Sequence, residues 1–179
     1  MANLFAEPAA SFDEPIALLS ACHDRVRHYA GLALKLAQYL PEHGADKQAR
    51  EAASSILRYF DVAAPLHHQD EEEDLFPLLA ERGDAVLKAL VGIAMFEQHV
   101  ELAALWQQVR ARLLAIATGE SSDFPLELAT EFAQQYPAHA QIEDEQIYPF
   151  AAKLLTSEEL AELGRHMAAR RGVTAGNTA

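Results

Sequence analysis

A pattern of two prolines, a histidine and a glutamate occurs twice in this 179-residue chain, 72 positions apart. Pro65, His67, Glu71 and Pro77 are matched by Pro137, His139, Glu143 and Pro149. The residues between them agree as well: Gln69 with Gln141, Glu73 with Glu145, Leu75 with Ile147, and Phe76 with Tyr148. On a helix, residues four apart lie one above the other on the same face. Each copy therefore sets an imidazole beside a carboxylate, and two such helices facing each other would hold a pair of metal ions between them.

Two further histidines, His23 and His99, fall on the inner stripes of the remaining long helical stretches. One such histidine alone would read as an ordinary core residue; four on four helices, two of them with a glutamate one turn later, read as ligands. A buried glutamate without a partner is costly, and two facing each other repel. Bound cations relieve both problems. Glu71 and Glu143 would bridge two ions, and His23, His67, His99 and His139 would supply two nitrogens to each. That leaves room for a solvent-derived bridge and one exchangeable ligand. Mixed nitrogen and oxygen donors with open positions favour iron or manganese over structural zinc, which prefers closed tetrahedral sites. His68 and Glu72 form another pair four apart, turned about 100° from the first. The repeat sets His68 opposite Ala140, so His68 is expected outside the ligand set. The run Asp70, Glu72, Glu73 reads as a solvated face.

Four long helices must position these groups. The first starts near Asp13, with Pro15 in its first turn where a missing N–H costs nothing, and is expected to end before Pro41. The second runs from about Asp46 to Arg82 and stops at Gly83. The third runs from Asp84, a good N-cap, to Gly119. A loop to Pro125 leads into the fourth, which ends near Leu155. Their inward stripes alternate steps of three and four, as in Phe60, Ala63, His67, Glu71, Asp74 and Leu78 on the second helix. Prolines 65, 77, 137 and 149 lie inside helices, where each removes a backbone hydrogen bond and bends the axis. Thr156 and Glu159 form a capping-box pattern opening a terminal helix. Short connections make sequence neighbours antiparallel. The expected fold is all-α: an up-down-up-down four-helix bundle over residues 13–155, preceded by an extension (1–12) and followed by a short helix (156–171) and a disordered tail (172–179).

Composition agrees. Half the residues are hydrophobic and only 8 are Gly and 8 Pro, which favours helices. The formal charge of −13 argues against nucleic acid and anionic membranes as partners. No apolar run approaches the roughly 20 residues of a membrane span. The first residues lack the basic and apolar regions of a signal peptide, and the single Cys22 suits a reducing cytoplasm, so a cytoplasmic location is expected.

The stretch His67-His-Gln-Asp-Glu71-Glu-Glu-Asp-Leu-Phe-Pro77, with His139, Glu143, Pro149 and the isolated His99, resembles the signature of the hemerythrin-like, HHE cation-binding family, and His23 fits that family's helix-A ligand. The resemblance covers roughly residues 13–155. It implies a non-haem di-iron centre with an oxo or hydroxo bridge, ligated by His23, His67, Glu71, His99, His139 and Glu143, that binds dioxygen or nitric oxide. Oxygen-carrying members have a second helix-C histidine where this chain has Ala103, and usually an aspartate five residues after the helix-D histidine, where Glu143 follows by four. These departures point away from simple reversible oxygen carriage and toward sensing, stress response or iron handling. A di-iron enzyme or iron donor, acting on peroxide or nitric oxide or in iron–sulfur repair, and a bundle merely stapled by metal are the alternatives. No histidine follows an acid by three residues, which sets aside the Glu-x-x-His sites of ferritin-like proteins. A monomer or weak homo-oligomer is expected.

Overall fold

The computed structural model describes residues 11–173. Five helices follow in order: α1 (Pro15–His43), α2 (residues 47–82), α3 (85–118), α4 (126–154) and α5 (Ser157–Arg170). No strand occurs among the described residues. The connections 44–46, 83–84, 119–125 and 155–156 are short, and α1 to α4 form the expected up-down-up-down bundle, each packing on its neighbours, with α1 closing against α4. α5 lies across α1 and the middle of α2. The first ten residues and the last six, including most of the expected tail, lie outside the described residues.

The termini are fixed by their own sequence. Asp46 accepts from the Ala49 amide at 2.8 Å, and Asp84 accepts from the amides of Val86 and Leu87 at 3.0 and 2.9 Å, satisfying donors a helix start leaves free. Thr156 and Glu159 make both bonds of the capping box. Gly119 ends α3 in the left-handed conformation, φ 79°. α1 continues through Pro41 to His43. Pro41 costs only one bond in the last turn, so it does not terminate the helix as expected from sequence.

The prolines act differently from simple kinks. Single π-turns occupy Tyr59–Ala63, Glu71–Leu75 and Glu143–Ile147, each followed two residues later by Pro65, Pro77 or Pro149. In each case the carbonyl four residues before the proline, which the ring would meet and which has lost its N–H partner, falls inside the wider turn. A fourth π-turn, Ala94–Gln98, precedes His99 without a proline. Pro137 sits within regular helix. Each π-turn inserts one residue into the helical count and advances the buried face. On α2 that face continues from Glu71 to Leu75 and Leu79 rather than to Asp74 and Leu78. On α3, Ala94 is buried in preference to Met95.

The interior is split in two. One apolar cluster holds Val26, Ile56, Phe60, Trp106, Phe132 and Tyr136; the other holds Leu19, Leu75, Phe76, Leu79, Ile147 and Met167. Trp106 and Tyr136 are core residues of the first, packed tilted and edge-on against Phe60, with Tyr136 donating to the Leu102 carbonyl. Between the clusters lies a layer of buried polar side chains: His23 on α1, His67 and Glu71 on α2, His99 on α3, and His139 and Glu143 on α4.

Candidate metal centre

The structure brings all six sequence-predicted residues together. Each histidine turns Nε2 inward, and the histidines meet in two pairs. His23 and His67 have their Nε2 atoms 3.0 Å apart, and His99 and His139 have theirs 3.1 Å apart. Glu143 divides its oxygens between the pairs: Oε2 lies 3.1 Å from His23, while Oε1 lies 3.2 Å from His139 and 3.5 Å from His99. Glu71 Oε2 sits between the halves, 3.6 Å from His67 and 3.7 Å from His99. Both glutamates are fully buried.

The outer ring nitrogens are held by polar groups. His23 Nδ1 is 2.9 Å from Asp144, which is itself gripped by Ser20 and Arg27. His99 Nδ1 is 2.6 Å from Glu72, and His139 Nδ1 is 2.8 Å from the Gln98 side-chain oxygen. An acceptor on the outer nitrogen fixes the tautomer that leaves Nε2 with its lone pair directed inward. His67 Nδ1 alone is buried without a partner.

Three carboxylate oxygens in the layer, Glu71 Oε2 and both of Glu143, accept no hydrogen bond despite being sealed from water; the close imidazole approaches are misaligned for one. A buried acceptor without a partner is expensive, and three converging with four imidazole nitrogens fit a bound cation. His23, His67, Glu71 and Glu143 form one group that could hold an ion.

The electrostatics fit as well. Burial and the Glu143 charge push the Glu71 carboxyl well above its ordinary value. Burial also opposes ionisation of Glu143, but His139, His23 and His99 outweigh it and hold that carboxyl well below the usual range. Without metal, negative charge is thus favoured on Glu143 over Glu71. Burial, reinforced by the His23 charge, pushes His67 down to about 3, so this imidazole is neutral and available as a ligand. Burial opposes protonation of His23 and His99, yet Asp144 and Glu143 beside His23, and Glu143 and Glu72 beside His99, hold both above the ordinary imidazole value.

Sequence reasoning missed four groups. Glu72 and Asp144, read as solvent-facing or not singled out, each reach across to the outer nitrogen of a histidine on a neighbouring helix. The signal was present: they are a 72-residue repeat pair, each directly after a buried glutamate. Tyr148 donates to Glu71 Oε1, stacks on the His23 ring and brings its hydroxyl 3.4 Å from His23 Nε2. His68, expected outside the ligand set, lies in the layer: a ring nitrogen is within 4.8 Å of those of His99 and His139. The π-turns account for part of this, because they reset which α2 and α3 faces meet. The acidic run on α2 is not merely solvated either, since Asp70 is fully buried and paired with Arg170 and Arg171 at the C-terminal end of α5. Cys22 is a free, half-buried thiol whose pKa burial raises.

Fold and site together define a metal-binding helical-bundle protein. Residues 14–151 match the hemerythrin HHE cation binding domain. A protein of Haemophilus influenzae, itself uncharacterized, is 33% identical over 164 residues, covering 92% of this chain and 94% of the relative. The chain belongs to the hemerythrin HHE cation-binding family. Among the described residues no helix is long and apolar enough to cross a membrane.

Proposed function

We propose that the chain holds two iron ions in this layer and binds a small ligand, dioxygen or nitric oxide, for sensing or iron handling. The division of Glu143 carries the reading: one carboxylate faces both histidine pairs, one oxygen each, with neither oxygen otherwise satisfied. His23 and His67 would hold one ion, His99 and His139 the other, with Glu143 and Glu71 shared. Iron at such a site supplies reversible one-electron redox chemistry and an exchangeable position. The protein's part is to aim the imidazoles of His23, His99 and His139 inward through Asp144, Glu72 and Gln98, to offer two negative charges against the cations, and to exclude bulk water with the two apolar clusters. Mixed nitrogen and oxygen donors suit iron and manganese better than a closed zinc site.

The test is anaerobic reconstitution with ferrous iron, metal analysis, and absorption spectra on admitting oxygen or nitric oxide. Two irons per chain and a ligand-dependent charge-transfer band are expected. One tightly held zinc, or two irons with no spectral response to either gas, would overturn the reading.

A further inference from the structure

The polar layer has an approximate two-fold symmetry that exchanges α1 with α3 and α2 with α4. His67, Glu71 and Glu72 map onto His139, Glu143 and Asp144, 72 residues on. His23 maps onto His99: Asp144 of α4 holds the outer nitrogen of His23, and Glu72 of α2 holds that of His99. The π-turns Glu71–Leu75 and Glu143–Ile147 obey the same relation. Besides Gln98, which holds His139 while His67 has no such partner, two further positions in the layer break it. Tyr148 beside His23 corresponds to Phe76 beside His99, and His68 corresponds to Ala140.

His68 is half-buried, and its ring lies parallel to that of His99, centroids 4.0 Å apart, and edge-on to His139 at 5.9 Å. The hydrogen bonds of the layer run from His23, His99, His139 and Tyr148, and among the described residues none reaches His68. A second imidazole against His99 that only packed would be a costly choice where the symmetry-related position is an alanine. With His99 and His139 it completes a three-nitrogen group that could hold an ion.

Resting on the two-ion reading above, we propose that His68 is a third nitrogen ligand of the ion held by His99 and His139, so that the two ions are chemically unequal. This histidine comes from α2, directly after a ligand of the other ion. On α3 itself the position one turn beyond His99 is Ala103, which carries no donor. The His23–His67 ion has no counterpart to His68; the group nearest it is the Tyr148 hydroxyl.

Two variants test this by anaerobic ferrous titration and Mössbauer spectroscopy. His68→Phe keeps an aromatic ring against His99 without a donor; His68→Ala opens space that added imidazole can fill. The wild type should bind two irons with two distinct ferrous doublets of equal area. In both variants one binding step should weaken by about tenfold to 100-fold, at least the loss seen when an outer partner of a ligand is removed, and one doublet should shift while the other stays. Added imidazole should restore the weakened step in His68→Ala and not in His68→Phe. Two irons bound with unchanged affinity and unchanged doublets in both variants would overturn the assignment of His68 and leave the two-ion centre standing. A wild type that takes up fewer than two ions would overturn both.

Discussion

Glu71→Gln separates what this layer does for the fold from what it does for metal. In the metal-free protein, burial and the Glu143 charge push the Glu71 carboxyl well above its ordinary value, toward its neutral form. It then behaves as a neutral amide-sized group with one oxygen accepting from Tyr148. Glutamine reproduces that shape, its carbonyl can take the Tyr148 hydrogen bond, and its amide can point at the unsatisfied Glu143 oxygens. One neutral group exchanged for another with the same partner should change metal-free stability by no more than about 1 kcal/mol. For 179 residues, an unfolding entropy of roughly 2.1 cal/mol/K per residue makes that a shift in melting temperature under about 3 °C.

Metal tells the opposite story. An ion present at 100 times its Kd stabilises the folded chain by about 2.7 kcal/mol, or roughly 7 °C on the same scale, so two ions should raise the wild-type midpoint by roughly 14 °C. Glutamine cannot lose a proton to supply the negative oxygen that lies between the two histidine pairs. A 100-fold weaker site at the same metal concentration contributes only about 0.4 kcal/mol, roughly 1 °C per ion. Thermal melts of metal-free and ferrous-loaded protein, wild type against Glu71→Gln, read both numbers at once. A metal-free variant melting more than about 8 °C below wild type would show that the carboxyl is structural. A variant that keeps the full metal-induced rise would show that Glu71 Oε2 is not a donor.

Asp144→Asn should weaken one binding step by about 10–100-fold and spare the other, because Asp144 supports only His23; competition titration with a chelator resolves the steps, and equal loss in both would refute the pairing of histidines by halves. His67 gives the metal-free protein an acid sensitivity. Its pKa falls from 6.5 to about 3 on folding, so below pH 6.5 the unfolded chain takes up a proton that the native one refuses, and stability is lost as pH falls toward 3. By pH 4 the loss from this group is about 3 kcal/mol, and urea unfolding of His67→Gln should show a shallower decline between pH 6.5 and 4 than wild type; parallel curves would refute it. Gly164→Ala should destabilise by about 1–3 kcal/mol, since its Cβ would fall 1.9 Å from the Phe12 carbonyl oxygen, where α5 meets the segment just before α1; an unchanged denaturation midpoint would show that this contact yields freely.

The helices and their order were legible because their signals are local. Asp46, Asp84, Thr156 and Gly119 cap where capping chemistry says they should, and the four inner histidines lie on stripes that an ideal helical period finds. What the ideal period could not supply was phase. A π-turn is a choice between a proline ring and a carbonyl, made inside the helix, and the sequence marks it only by the proline. Three of the four follow that rule, yet Pro137 obeys it in neither spacing nor turn, and Ala94–Gln98 arises with no proline at all. On α2 the expected stripe therefore ran through Asp74 and Leu78 instead of Leu75 and Leu79, although the four histidines and two glutamates do fall in one buried layer.

The 72-residue repeat was at once the best guide and the source of the largest omission. It picks out His67, Glu71, His139 and Glu143, which the fold brings into one buried layer, and it also contains Glu72 and Asp144, whose acidity in a charged run looks like solvation until the neighbouring helix is known. Symmetry does not reach the remaining two groups. His68 was set aside because its repeat partner is Ala140, and Tyr148 was not singled out at all. Yet a ligand that must distinguish one ion from the other can only be built from residues the repeat does not share. The departures from the repeat that enter the buried layer, an imidazole on one side and a phenol on the other, are where this chain's own chemistry is written.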